Sequence, residues 1–139
     1  MQVASIMSRQ IVSIGPDEDI AAVRRLFDST SFHHVLVIEG RHLRGVVSDR
    51  DLLKAISPFV GTLSERTQDA ATLKKKVHQV MNRTLVTIRK DELVPEAAKR
   101  MLDRDVSCLP VVNASGEPEG IITFRDVLRW VGRFAQPPA

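Results

Sequence analysis

The strongest constraint on this 139-residue chain is that one stretch of it occurs twice. Gly45-Val46-Val47-Ser48-Asp49-Arg50-Asp51-Leu52-Leu53 returns as Gly120-Ile121-Ile122-Thr123-Phe124-Arg125-Asp126-Val127-Leu128. In each copy a glycine precedes two β-branched residues, a hydroxyl residue, two variable positions, an aspartate and aliphatic residues. The β-branched pair favours a strand, and the segment after it has helical character. A hydroxyl therefore sits at a strand-to-helix junction, with a carboxylate one turn later.

The duplication extends beyond this stretch. A shift of 74 carries Met7 onto Met81, Val12 onto Val86, Asp17-Glu18 onto Asp91-Glu92 and Val37 onto Val111. One extra residue enters near Ser115-Gly116, and beyond it a shift of 75 carries Gly45 and Asp51 onto Gly120 and Asp126. Each copy predicts a short leading helical turn followed by strand, helix, strand, strand and helix. The first strands are expected at Ile11 to Ile14 and Leu85 to Ile88. The first helices are expected from Ile20, capped by Asp19, and from Val94, with Pro95 tolerated in its first turn. On the second of these, Val94, Ala97, Ala98, Met101 and Leu102 are expected to point inward. The chain thus divides into repeat 1 at residues 1–57, a connector at 58–76, repeat 2 at 77–133 and a tail at 134–139 expected to fray.

Composition narrows the class. A hydrophobic fraction of 43% and a charged fraction of 27% are those of an ordinary soluble globular protein. No apolar run reaches the roughly 20 residues of a membrane span, and the first residues lack the pattern of a signal peptide. The lone Cys108 allows no intrachain disulfide, which agrees with a cytoplasmic protein. The net charge of +3 is small, and the run Lys74-Lys75-Lys76 reads as a solvated helix face. With aromatics at 4%, the stacking residues of a nucleic-acid binder are nearly absent.

The pattern resembles a tandem pair of cystathionine-β-synthase (CBS) domains, the Bateman module, over about residues 3–57 and 77–133. The motifs that carry the likeness are Gly-x-x-Ser/Thr-x-x-Asp at both junctions, Val12-Ser13-Ile14-Gly15-Pro16 and Ser107-Cys108-Leu109-Pro110-Val111-Val112. Their order, duplicated in register, is what is specific. The resemblance implies an α+β fold of two repeats packed with pseudo-two-fold symmetry into one globular module. It also implies two composite clefts for an adenine nucleotide and a dimer of modules. In one cleft Asp126 would hold the ribose hydroxyls and Thr123 would donate to a phosphate or ribose oxygen. Arg125 would meet phosphate, facing Ser13, Ile14, His33 and His34. The other cleft would pair Ser48, Arg50 and Asp51 with Thr87, Ile88, Ser107 and Cys108. If one cleft is preferred, the expectation is the one with Asp126 and His34. Lys90 replaces the proline that Pro16 supplies in the first repeat, a departure in the loop beneath the adenine.

Simpler readings stand beside these. Ser48 with Asp51, and Thr123 with Asp126, also fit capping boxes. Adjacent histidines on a strand point to opposite faces, so His33 and His34 do not readily ligate one metal, and no metal site is expected. Cys108 lacks an obvious base and reads as a buried apolar residue. The expected function is a regulatory, non-catalytic, ligand-sensing module. It would bind AMP, ADP or ATP without a catalytic cofactor and signal by dimerisation or through a separate effector protein. The alternatives are an S-adenosylmethionine-binding module and a scaffold that binds no ligand.

Overall fold

A computed structural model describes residues 1–134 of the chain. The expected tail at 135–139 lies outside the described residues. The fold is α+β, built from two compact units that do not coincide with the two sequence repeats. Among the described residues, one unit joins residues 1–11 to those from Val86 onward, and the other comprises Val12–Leu85. The leading segment of each repeat therefore packs with the body of the other repeat.

The unit Val12–Leu85 contains β1 (Ser13–Ile14), α1 (Ile20–Ser29), β2 (His34–Glu39), β3 (His42–Ser48), α2 (Asp49–Ala55), α3 (Thr67–Ala71) and α4 (Val77–Val80). Its sheet runs β1-β2-β3, with β1 parallel and β3 antiparallel to β2. Asp19 caps α1 by accepting a hydrogen bond from the Ala22 amide at 3.0 Å. The core gathers Ile14, Ile20, Val23, Val35, Val37, Val47 and Leu52 around Val77 of the leading helix. The connector forms α3 and a 3₁₀ turn at Thr72–Lys74.

The other unit contains a leading 3₁₀ turn at Val3–Ser5, α5 (Val94–Arg104), β4 (Cys108–Val112), β5 (Pro118–Thr123) and α6 (Phe124–Phe134). Val3 and Met7 join a core of Ile88, Val94, Ala97, Met101, Leu109, Val111 and Ile122. Each leading segment crosses the middle of a strand, and there the repeated glycine is needed. A Cβ at Gly120 would lie 2.6 Å from the Ser8 carbonyl oxygen, and one at Gly45 would lie 2.8 Å from that of Asn82. Antiparallel bridges Ser8–Ile121 and Val46–Asn82 close these crossings.

Two sequence expectations need correction. Leu85 to Ile88 does not form a strand and contributes only a parallel bridge from Ile88 to Val111. The cause is Pro110. In the first repeat the Leu36 amide donates to the Val12 carbonyl at 2.9 Å. Pro110 occupies the equivalent place and has no N–H to give. The two bonds that do not need this donor remain, Ile88 N to Pro110 O and Val112 N to Ile88 O. Leu102, expected to face inward on α5, is 74% exposed; the buried face follows Val94, Ala97 and Met101.

Candidate functional site: two acid-bearing junctions

At the first junction β3 ends at Ser48 and α2 begins at Asp49. Ser48 Oγ accepts from the Asp51 amide at 3.1 Å, and Asp51 Oδ2 accepts from the Ser48 amide at 2.9 Å. This is a complete capping box, satisfying two amides that the helix itself leaves unpaired. Such a cap contributes about 1 kcal/mol. The Asp49 amide donates to the His33 carbonyl at 3.0 Å, and the His33 Nδ1 lies 2.9 Å from Asp49 Oδ2. His34 stands opposite Ser48 in the β2–β3 register. Burial lowers its pKa from the ordinary value of 6.5; Asp49 and Asp51 oppose that shift, and the charge of a protonated His33 adds to it.

The second junction repeats the backbone plan. The Thr123 amide donates to Asp126 Oδ2 at 2.8 Å, and Thr123 Oγ1 accepts from the Asp126 amide at 3.3 Å. The Phe124 amide donates to the Ser107 carbonyl at 2.8 Å, and Cys108 stands opposite Thr123. The surroundings differ. The Thr123 hydroxyl donates its one hydrogen to Asp126 Oδ2 at 3.0 Å. The other carboxylate oxygen, Oδ1, lies 3.7 Å from the Arg129 guanidinium.

The sequence-predicted site residues therefore fall into two sets. Ser13, Ile14, His33, His34, Ser48, Arg50 and Asp51 lie in one unit, and Thr87, Ile88, Ser107, Cys108, Thr123, Arg125 and Asp126 lie in the other. Ile14 and Ile88 are buried in their respective cores, and Cys108 is buried as well. Ser13, His33, Ser107, Arg50 and Arg125 are exposed. The Thr87 carbonyl is engaged by Arg100, which also bonds Glu92 at 2.7 Å. Lys90 is exposed, and its carbonyl accepts the Ala4 amide at 2.9 Å.

Sequence reasoning did not single out four neighbours of these acids: Lys54 and Ala55 at the first junction, Arg129 and Trp130 at the second. The repeat itself carried the signal, since a shift of 75 superposes Lys54 on Arg129 and Ala55 on Trp130. Among the described residues, no group of three or more His, Cys, Asp or Glu residues could hold a metal ion, and no helix is long and apolar enough to cross a membrane.

Known proteins are similar to this chain in sequence and fold. The chain is 31% identical over 137 residues to a CBS domain-containing protein of Dictyostelium discoideum, covering 97% of this chain and 94% of that one. Other curated relatives are longer, and the chain spans 24% of two of them and 45% of a third. Among solved structures, the CBS domain pair of protein MJ0100, in complex with 5′-methylthioadenosine and S-adenosyl-L-methionine, has a TM-score of 0.81. It is 23% identical, and the match covers 97% of this chain and 98% of that one. The cytosolic domain of the Mg2+ channel MgtE, in complex with ATP, has a TM-score of 0.73 at 26% identity, with 93% of this chain and 48% of that one covered. The CBS domain family matches residues 3–58 and 77–133. On that duplicated match, over most of its length, the chain belongs to the CBS domain family as a tandem pair.

Proposed function

We propose that this CBS pair is a ligand-sensing regulatory module, without catalytic activity of its own, that binds an adenine nucleotide in the cytoplasm. The observation that carries the reading is the state of the two junction carboxylates. Asp51 and Asp126 are each held by the amide of their own cap residue, at 2.9 and 2.8 Å. A carboxylate fixed in this way is a pre-organised acceptor for the vicinal hydroxyls of a ribose, and an ionised acid makes charge-assisted bonds to them. The adenine-containing ligands bound by the MJ0100 pair and by the MgtE domain support the ligand class. Ser13, His33, His34, Ser48 and Arg50, in the unit of Asp51, and Thr87, Ser107, Thr123 and Arg125, in the unit of Asp126, are the polar candidates. Ile14, Ile88 and Cys108 are the apolar candidates for the adenine.

Signalling requires that the ligand favour one arrangement of the module over another, because equal affinity for both would shift nothing. The output would pass through self-association or a separate effector protein. Phe124, Leu128 and Val131 offer an exposed apolar stripe along α6 for a second copy. A second reading, binding of S-adenosylmethionine, is favoured by the ligands of the MJ0100 pair. Calorimetry of the chain with AMP, ADP, ATP and S-adenosylmethionine separates the two. Heat from a nucleotide that disappears in the double variant Asp51→Asn/Asp126→Asn supports the nucleotide reading. Silence with all four ligands would leave a non-binding scaffold.

A further inference from the structure

Resting on that reading, we infer that the first junction takes the phosphorylated end of a ribonucleotide. Lys54 and Lys75 are its phosphate-binding residues, and Ala55 is the residue that leaves room for it. A hollow of about 460 Å³ lies in the unit Val12–Leu85, lined by Asp51, Lys54, Ala55, Lys75, Gln79 and Val80. Its size lies within the roughly 300–1,000 Å³ of small-molecule sites.

The chemistry of the lining is mixed in a useful way. Asp51 is an acceptor of hydroxyl hydrogens, with Oδ2 already anchored to the Ser48 amide. Lys75 is anchored too, since its ammonium donates to the Ala55 carbonyl at 3.1 Å, which holds it at the end of α2. Two ammonium groups and one carboxylate give the lining a formal charge of 2 − 1 = +1. An ammonium is a compact point charge suited to phosphate. A ligand with a diol at one end and a phosphate at the other satisfies both kinds of group. Neutral adenosine leaves the lysines unused, and a sulfonium cation is repelled by them.

The second junction keeps a cation at the position of Lys54 but lacks the other two conditions. Trp130 stands where Ala55 stands, and with Ile6 it packs against the core of its unit. Met1 stands where Lys75 stands. Asp126 has Arg129 beside it at 3.7 Å, whereas Lys54 at the equivalent position lines the hollow with Asp51. The same cap thus has two lysines and an open alanine beside it at the first junction, and one arginine, with an indole in the alanine's place, at the second.

The test titrates the 139-residue chain with ATP and with adenosine. The parent is expected to prefer ATP. Replacing both lysines (Lys54→Gln/Lys75→Gln) is expected to cut the ratio of ATP to adenosine affinity by about tenfold or more. Ala55→Trp is expected to weaken both ligands at least about tenfold, with cooperative unfolding retained. Ala55 is buried, so Lys75→Glu serves as a second variant that leaves the core untouched, and it should lower the ratio further. If the parent binds ATP and the ratio survives every lysine change, the inference fails while the nucleotide reading stands. If the parent binds neither ligand, the reading itself fails.

Discussion

The two strand-to-helix junctions share a backbone and differ in everything packed beside it. In both, a hydroxyl residue caps the helix, an aspartate one turn on returns a bond to the cap, and the first helical amide donates to the carbonyl of the residue just before β2 or β4. At the first, His33 and Asp49 face one another and Ala55 follows. At the second, Ser107, Phe124 and Trp130 occupy those places. Local capping chemistry fixes where the acid stands. The neighbours, which the duplication left free to diverge, decide what the acid can accept.

The first strands differ in the same instructive way. Leu36 supplies an amide that adds β1 to its sheet, whereas Pro110 cannot. Placing the proline in the first repeat sharpens this contrast most. Leu36→Pro is expected to strip the bond to Val12, leave its carbonyl unsatisfied and cost about 3 kcal/mol. Urea unfolding followed by circular dichroism measures it. An unchanged midpoint would mean that the β1 ladder contributes nothing, and the account of Pro110 would lose its force. Next in size is Gly120→Ala, which forces a methyl against the Ser8 carbonyl at the crossing of the leading segment. The expected loss is about 2 kcal/mol. It is best read from the fluorescence of Trp130, the single tryptophan, which lies in the affected unit. Faster exchange of the Ile121 amide, which bonds Ser8, should accompany it.

Much of this was legible in the sequence, and the reasons are physical. Capping depends on residue types three apart, so Ser48/Asp51 and Thr123/Asp126 could be read directly. Short continuous apolar runs located β2 and β4, and helical spacing located the buried face of α1. The failures came where one residue acts across space. Pro110 spoils a pairing whose partner lies far away in sequence, so Leu85 to Ile88 looked like a strand on its own pattern. The packing of residues 1–11 with the second repeat was equally hidden. Val3 and Met7 show helical spacing, but spacing does not say which core receives them. At the site, the acids were evident while Lys75, distant in sequence from Asp51, was not.

A smaller difference is the clamp around Arg100. It bonds the Thr87 carbonyl, Glu92 and Glu96, where the first repeat carries Leu26. The bond from Arg100 holds the Glu92 carboxyl below its ordinary pKa of 4.5 and raises that of Arg100. A depressed carboxyl contributes stability above its unfolded value, and that contribution is lost as pH falls through the folded value. Arg100→Leu is expected to cost about 1 kcal/mol at neutral pH, discounted because both side chains are partly exposed. The variant and the parent should converge as acid protonates Glu92. A gap that persists below that range would assign the loss to packing.

The smallest expected effect concerns the strand-start pair His34 and Cys108, and its sign follows from burial. The folded state holds His34 below 6.5, because the desolvated ring resists charge more than Asp49 and Asp51 favour it. As pH falls through 6.5 the unfolded chain takes up this proton before the folded chain does, so the folded state loses stability. The loss grows down to the lowered folded value and is constant below it. Cys108 holds the same place in the second repeat. His34→Cys should therefore flatten the fall in thermal midpoint just below pH 6.5. His33 and Asp49 remain as internal controls, since the substitution leaves their 2.9 Å contact in place. If the variant keeps the parental slope, desolvation at His34 is not what separates the two junctions in acid, and the histidine–aspartate contact becomes the group to replace.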